Sequence, residues 1–79
     1  MRLITQNGQR DLPYDSYIVS VGDDGFVFAD NVHHEGKFSR VLLGVYGSEV
    51  EAKLAVSEMH DAWEMGDSIF KFPEARKRD

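Results

Sequence analysis

No cysteine occurs anywhere in the 79 residues. That excludes disulfides, thiolate zinc sites and nucleophilic cysteine chemistry at once. Positive charge is scarce too: 9 Lys and Arg stand against 14 Asp and Glu, for a net charge of −5. Such a balance disfavours nucleic-acid and anionic-membrane surfaces, which need clustered cations to neutralise phosphates. The one basic cluster, Arg76, Lys77 and Arg78, lies beside Glu74 and Asp79 and reads as a solvated end of the chain. Long apolar runs are missing as well. Val41 to Tyr46, the longest, is far too short to span a bilayer, and Met1 to Gln6 has no apolar core of signal-peptide length. The expectation is a cytoplasmic protein with neither a nucleic-acid nor a membrane partner.

What is present most clearly is one helix, expected over 48–65. Ser48 with Glu51 three residues later forms a capping box, Glu49 and Glu51 put negative charge in the first turn, and Gly66 supplies a left-handed stop. At 100° per residue, Ala52, Val56, Met59 and Trp63 fall on one stripe with Ala55 beside it, which predicts the core face. Leu54 and Met65 lie off that stripe, beyond Glu51, Glu58 and Ala62.

The rest reads as strands. Arg2 to Gln6 ends at Asn7-Gly8, a dipeptide suited to a type I′ hairpin turn, and Gln9 to Leu12 makes a short edge strand stopped by Pro13. Tyr17 to Val21 alternates, with Ile18 and Ser20 opposite Tyr17, Val19 and Val21. Gly22-Asp23-Asp24-Gly25 turns the chain into Phe26 to Ala29, and Asp30 to Lys37 is a polar loop. Phe38 to Tyr46 carries Val41, Leu43 and Val45 on one face and Leu42 and Tyr46 on the other, as a central strand would. Ile69 to Phe72, stopped by Pro73, closes the chain. The expected class is α+β: an antiparallel, curved sheet of about five strands in ββββαβ order, with the helix packed on one face. Residues 1–73 are expected to form a single globular domain and residues 74–79 a flexible tail. A single helix covers one sheet face, yet Phe26, Phe28, Leu42, Tyr46, Phe70 and Phe72 imply apolar groups on both. Either the sheet curls around its own core or a second chain covers the other face.

Catalytic apparatus is not visible. His33-His34-Glu35 places adjacent side chains on opposite sides of an extended chain and implies no third metal ligand. His60 and Glu64, at i and i+4, read as a surface ion pair, and Ser57 with His60 lacks an orienting acid. Asp23-Asp24-Gly25 is too short for a calcium loop, and the glycines before the helix lack the Lys-Ser/Thr of a phosphate loop. No cofactor, metal ligand or catalytic residue is assigned.

Several fragments together resemble a group of small uncharacterised proteins of phages and prophages of Gram-positive bacteria. They are MRLITQNG at the start, LPYD at Leu12 to Asp15, LLGVYGSEVEAK at Leu42 to Lys53, MHDAW at Met59 to Trp63 and FKFPE at Phe70 to Glu74. The resemblance rests on a Leu-Gly-x-Tyr strand running into a Ser/Thr-Glu-x-x-Ala helix and on a closing aromatic-x-x-Pro-Glu; between Gly22 and Lys37 it is weak. It implies no activity. It does imply an accessory protein that binds a host or phage protein, since compact phage proteins more often bind than catalyse.

The leading expectation is a non-enzymatic interaction domain, a homodimer whose contact surface combines the uncovered sheet face with Leu54, Met65 or the closing strand at Phe70 and Phe72. A chain this short buries only about 60–65% of its unfolded surface, and without disulfides oligomerisation is the common support. The rival is a small enzyme or ligand-binding protein using His60, Glu64 and Tyr46. A third reading, an acidic mimic of nucleic acid, ranks last, because the carboxylates form no duplex-like double row.

Overall fold

A computed structural model describes residues 1–32 and 40–75. Six strands and one helix appear in the order β1 (Arg2–Ile4), β2 (Asp11–Pro13), β3 (Tyr17–Val21), β4 (Phe26–Asn31), β5 (Arg40–Val45), α1 (Glu49–Glu64) and β6 (Ile69–Lys71), with a 3₁₀ turn at Tyr14–Ser16. The class is α+β, as expected. The sheet is not one curved layer of five strands: β2-β1-β6 and β3-β4-β5 form two sheets of three strands each. β6 pairs with β1 in parallel, Leu3 opposite Phe70, so the first sheet is mixed. A strand that returns across a helix can lie parallel to the first strand, whereas tight hairpins only give antiparallel neighbours.

The helix follows its local signals closely. The Ser48 hydroxyl accepts from the Glu51 amide at 3.2 Å, and the Glu51 carboxylate accepts from the Gly47 amide at 3.5 Å. At the other end the Asp67 amide donates to Ala62 O and the Gly66 amide to Trp63 O, satisfying two carbonyls that the helix leaves unpaired. The buried face differs from expectation. Ala52, Ala55, Met59 and Ala62 are buried, Val56 is partly so, and Trp63 is 53% exposed, its ring stacked on Tyr14 at 6.1 Å between centroids. Small residues let the helix lie close to β3 and β4, the strands it contacts most. That close approach leaves no room for an indole beneath it.

Hairpin β3–β4 forms with Tyr17, Val19 and Val21 on the helix side and Ile18 and Ser20 opposite. β4 runs on through Asp30 and Asn31, which were expected in a loop, and Asp30 pairs across to Arg40. β4, not the strand ending at Tyr46, is the centre of its sheet. The first hairpin departs from a type I′ turn: Gly8 has φ 75° while Asn7 has no positive φ. Instead Asn7 Oδ1 accepts from Thr5 Oγ1 at 2.7 Å and from the Gln9 amide at 3.0 Å, holding a longer loop. Pro13 sits at the end of β2 opposite Arg2, at an edge, as a residue without an N–H must.

A bulge in β5 changes which residues face the core. Val27 lies opposite Gly44 and Phe28 opposite Leu42, so Leu43 is the extra residue. Beyond it the alternation reverses. Tyr46 is buried with Val41 and Leu43, whereas Val45, expected on the same face as Val41 and Leu43, is exposed beside Leu42. The core then joins both sheets to the helix through Leu3, Leu12, Val27, Ala29, Val41, Leu43, Tyr46, Ala52, Ala55, Met59 and Phe72.

The two sheets meet at Gln6. Its backbone amide donates to Leu43 O, the carbonyl of the bulged residue, at 2.7 Å. Its side-chain amide then behaves as one more peptide unit: Oε1 accepts from the Val45 amide at 3.0 Å, and Nε2 donates to Val45 O at 3.2 Å and Pro73 O at 3.1 Å. The Tyr46 hydroxyl donates to the same Pro73 carbonyl at 2.7 Å, tying the closing segment to the seam.

Candidate functional site

On the second sheet, Val27 and Ala29 of β4 point to the helix, so Phe26 and Phe28 point away from it. Register brings Ser20, Phe28 and Leu42 into one row, Ile18, Asp30 and Arg40 into another, and Phe26 beside Val45 into a third. The outer face is therefore an apolar patch of Ile18, Phe26, Phe28, Leu42 and Val45. Ile18 is 60% exposed, and Leu42 and Val45 are also exposed. Phe26 and Phe28 lie 6.0 Å apart, and the Arg40 guanidinium covers Phe28 at 5.0 Å from its centroid while pairing with Asp30 at 3.0 Å. A neutralised ion pair thus borders the patch. Among the described residues no element lies over this face.

The residues singled out from sequence are dispersed. Leu54 and Met65 are exposed, at 53% and 81%. They are eleven residues apart on one side of the helix, about 16 Å along its axis at about 1.5 Å per residue, with Glu58 and Asp61 between them. They are two separate apolar points and not a surface. Phe72 is wholly buried and meets the half-buried Phe70 edge to face at 5.1 Å. Phe72 belongs to the core and is not an outer contact, and Phe70 packs against that core while staying partly exposed. Ile18 and Val45 complete the patch. The alternation of β3 marks Ile18 as facing away from its neighbours, but nothing local announces the bulge that turns Val45 outward.

Leu54 instead borders a groove of about 320 Å³ between the helix and the closing segment, lined also by Tyr46, Glu51, Glu58, Asp61 and Glu74. Burial, then the charges of Glu58 and Glu51, push the Tyr46 phenol up to about 12. That phenol stays protonated at neutral pH and is already committed to Pro73 O, so it offers no base or nucleophile. His60 and Glu64 are both exposed, and no ion pair joins them, whereas Lys53 and Glu49 at the same i, i+4 spacing do pair, at 2.7 Å. Among the described residues no three His, Asp or Glu side chains are grouped to hold a metal ion, and no helix is long and apolar enough to cross a membrane. His33, His34 and Glu35, like the basic cluster at 76–78, lie outside the described residues.

Comparison of the chain with protein-family models, with curated proteins and with solved structures returned no match.

Proposed function

We propose that this chain is a non-catalytic interaction domain of the phage or prophage accessory kind, that it associates with itself, and that the outer face of β3-β4-β5 contacts a host or phage protein. The observation that supports this reading is the apolar patch of Ile18, Phe26, Phe28, Leu42 and Val45 on a sheet face over which no described residue forms a layer. An antiparallel sheet tolerates one wet face when that face is polar, as alternation normally makes it; here the wet face is apolar at its centre.

Light scattering on a size-exclusion column, from about 10 μM to about 1 mM, tests the self-association, because that span covers weak to moderate dissociation constants. A mass that climbs towards twice that of the chain is the expected result. A mass fixed at that of one chain throughout overturns the self-association.

A further inference from the structure

The four outer edges of the two sheets are not alike. β2 is three residues long, carries Asp11 and ends in Pro13; β6 is three residues long and runs into Pro73. β5 is covered at Leu43 and Val45 by Gln6. β3 alone is five residues long, Tyr-Ile-Val-Ser-Val, with no charge, proline or bulge. Natural sheets blunt their edges with such devices because an open edge pairs with another strand. Among the described residues three edges are blunted and one is not.

Register fixes what the open edge offers. The Gly22 amide donates to Phe26 O and the Val32 amide to Ser16 O, so residues 16, 18, 20 and 22 turn their peptide groups towards β4. Tyr17, Val19 and Val21 turn theirs outward. The Tyr17 N–H is already used, donating to Tyr14 O as the 3₁₀ turn ends. Remaining are the N–H and C=O of Val19, the N–H and C=O of Val21 and the C=O of Tyr17, none with a backbone partner among the described residues.

We propose that β3 of one copy pairs antiparallel with β3 of a second copy about a two-fold axis at Val19, making a continuous six-stranded sheet. This rests on the self-association proposed above and names its interface. In that register Val19 faces its own symmetry mate and exchanges two hydrogen bonds with it. The Val21 N–H of each copy donates to the Tyr17 carbonyl of the other, giving four bonds in all. Ile18 falls opposite Ser20 and Tyr17 opposite Val21, an aromatic beside a β-branched residue, with no like charges within the strand. Val19, Val21, Tyr17 and Val56 on the helix side are only partly buried, and the second strand covers them where the helix does not. The outer apolar faces of the two copies then run together as one surface.

The strand is about 17 Å long, and pairing it covers roughly half of the ~800 Å² per partner found in standard interfaces. Asp15 and Asp23 of opposite copies also approach each other at the two ends. The dimer is accordingly a weak one, seen in the upper part of the concentration range.

Amide exchange followed by NMR at low and high concentration tests the edge directly. Expected is a slowing of the Val19 and Val21 amides by at least about tenfold as the mass doubles, because both become hydrogen-bonded only in the dimer. Val19→Pro, which removes a donor that points to solvent in one copy, keeps the fold and abolishes the dimer. Doubling of mass with unchanged exchange at Val19 and Val21 overturns the edge pairing while leaving self-association intact. A single-chain mass with fast exchange at every concentration overturns both and leaves the edge to a strand from another protein.

Discussion

Replacing Gln6 with Ala removes the side chain that stitches the two sheets together, and the structure allows the loss to be sized. Three bonds go: Val45 N–H to Oε1 at 3.0 Å, and Nε2 to Val45 O at 3.2 Å and to Pro73 O at 3.1 Å. The backbone bond to Leu43 O remains. Gln6 is part-exposed, so the orphaned groups reach water and the loss is the net value of each bond, about 0.5–1 kcal/mol, and not a burial penalty. The sum is about 1.5–3 kcal/mol, a drop in Tm of roughly 6–24 °C for a chain of this size. Urea unfolding followed by circular dichroism gives the free energy, and exchange of the Val45 amide reports the seam locally. Gln6→Glu sharpens the test. It keeps the acceptor for Val45 N–H but sets a carboxylate against two carbonyl oxygens, so it should be no more stable than Gln6→Ala. A Gln6→Ala loss under about 0.5 kcal/mol with unchanged Val45 exchange, or a Gln6→Glu protein as stable as wild type, refutes the seam.

Two further perturbations follow from the same region. Gly25 has φ 86°, and a Cβ there would lie 2.5 Å from Tyr46 O and 3.0 Å from Ser48 O, both backbone atoms, whereas Gly66 at φ 78° has nothing within 4 Å. Gly25→Ala should therefore cost at least about 3 kcal/mol and Gly66→Ala only the left-handed penalty of about 1–2 kcal/mol; equal losses in chemical denaturation would contradict this. For Tyr46, burial raises the phenol from 10.0 to about 12, so between these values the folded chain holds a proton that the unfolded chain releases. Stability from this group is complete below pH 10 and declines as pH rises to 12, so the advantage of wild type over Tyr46→Phe should shrink across that window. An advantage that stays constant in denaturation midpoints measured across it would show the phenol to be unperturbed.

Local chemistry made some elements legible and left others dark. The caps at Ser48 and Gly66 involve residues within five positions of one another, so they could be read without any tertiary knowledge. The turn at Gly22 to Gly25 was equally local: Asp24 Oδ1 accepts from the Phe26 amide at 3.1 Å. The rotation of the helix was not. Trp63 and Ala62 are neighbours, and hydrophobicity favours burying the indole; the close approach of β3 and β4 buries the methyl instead. In the candidate site, alternation marked Ile18, and the phenylalanines of β4 implied an apolar second face. Val45 joined that face only because the extra residue at Leu43 reversed the alternation.

The sequence by itself determined the helix, its ends, the β3–β4 hairpin and the exclusion of thiol chemistry, because each depends on composition or on groups a few residues apart. Only the tertiary structure decided that the strands divide into two sheets, that β6 lies parallel to β1, and that Gln6 bridges to Val45 and Pro73. Those contacts join residues 39 and 67 positions apart for Gln6 alone. Whether they form depends on where the whole core lets the backbone come close, and no local pattern encodes that.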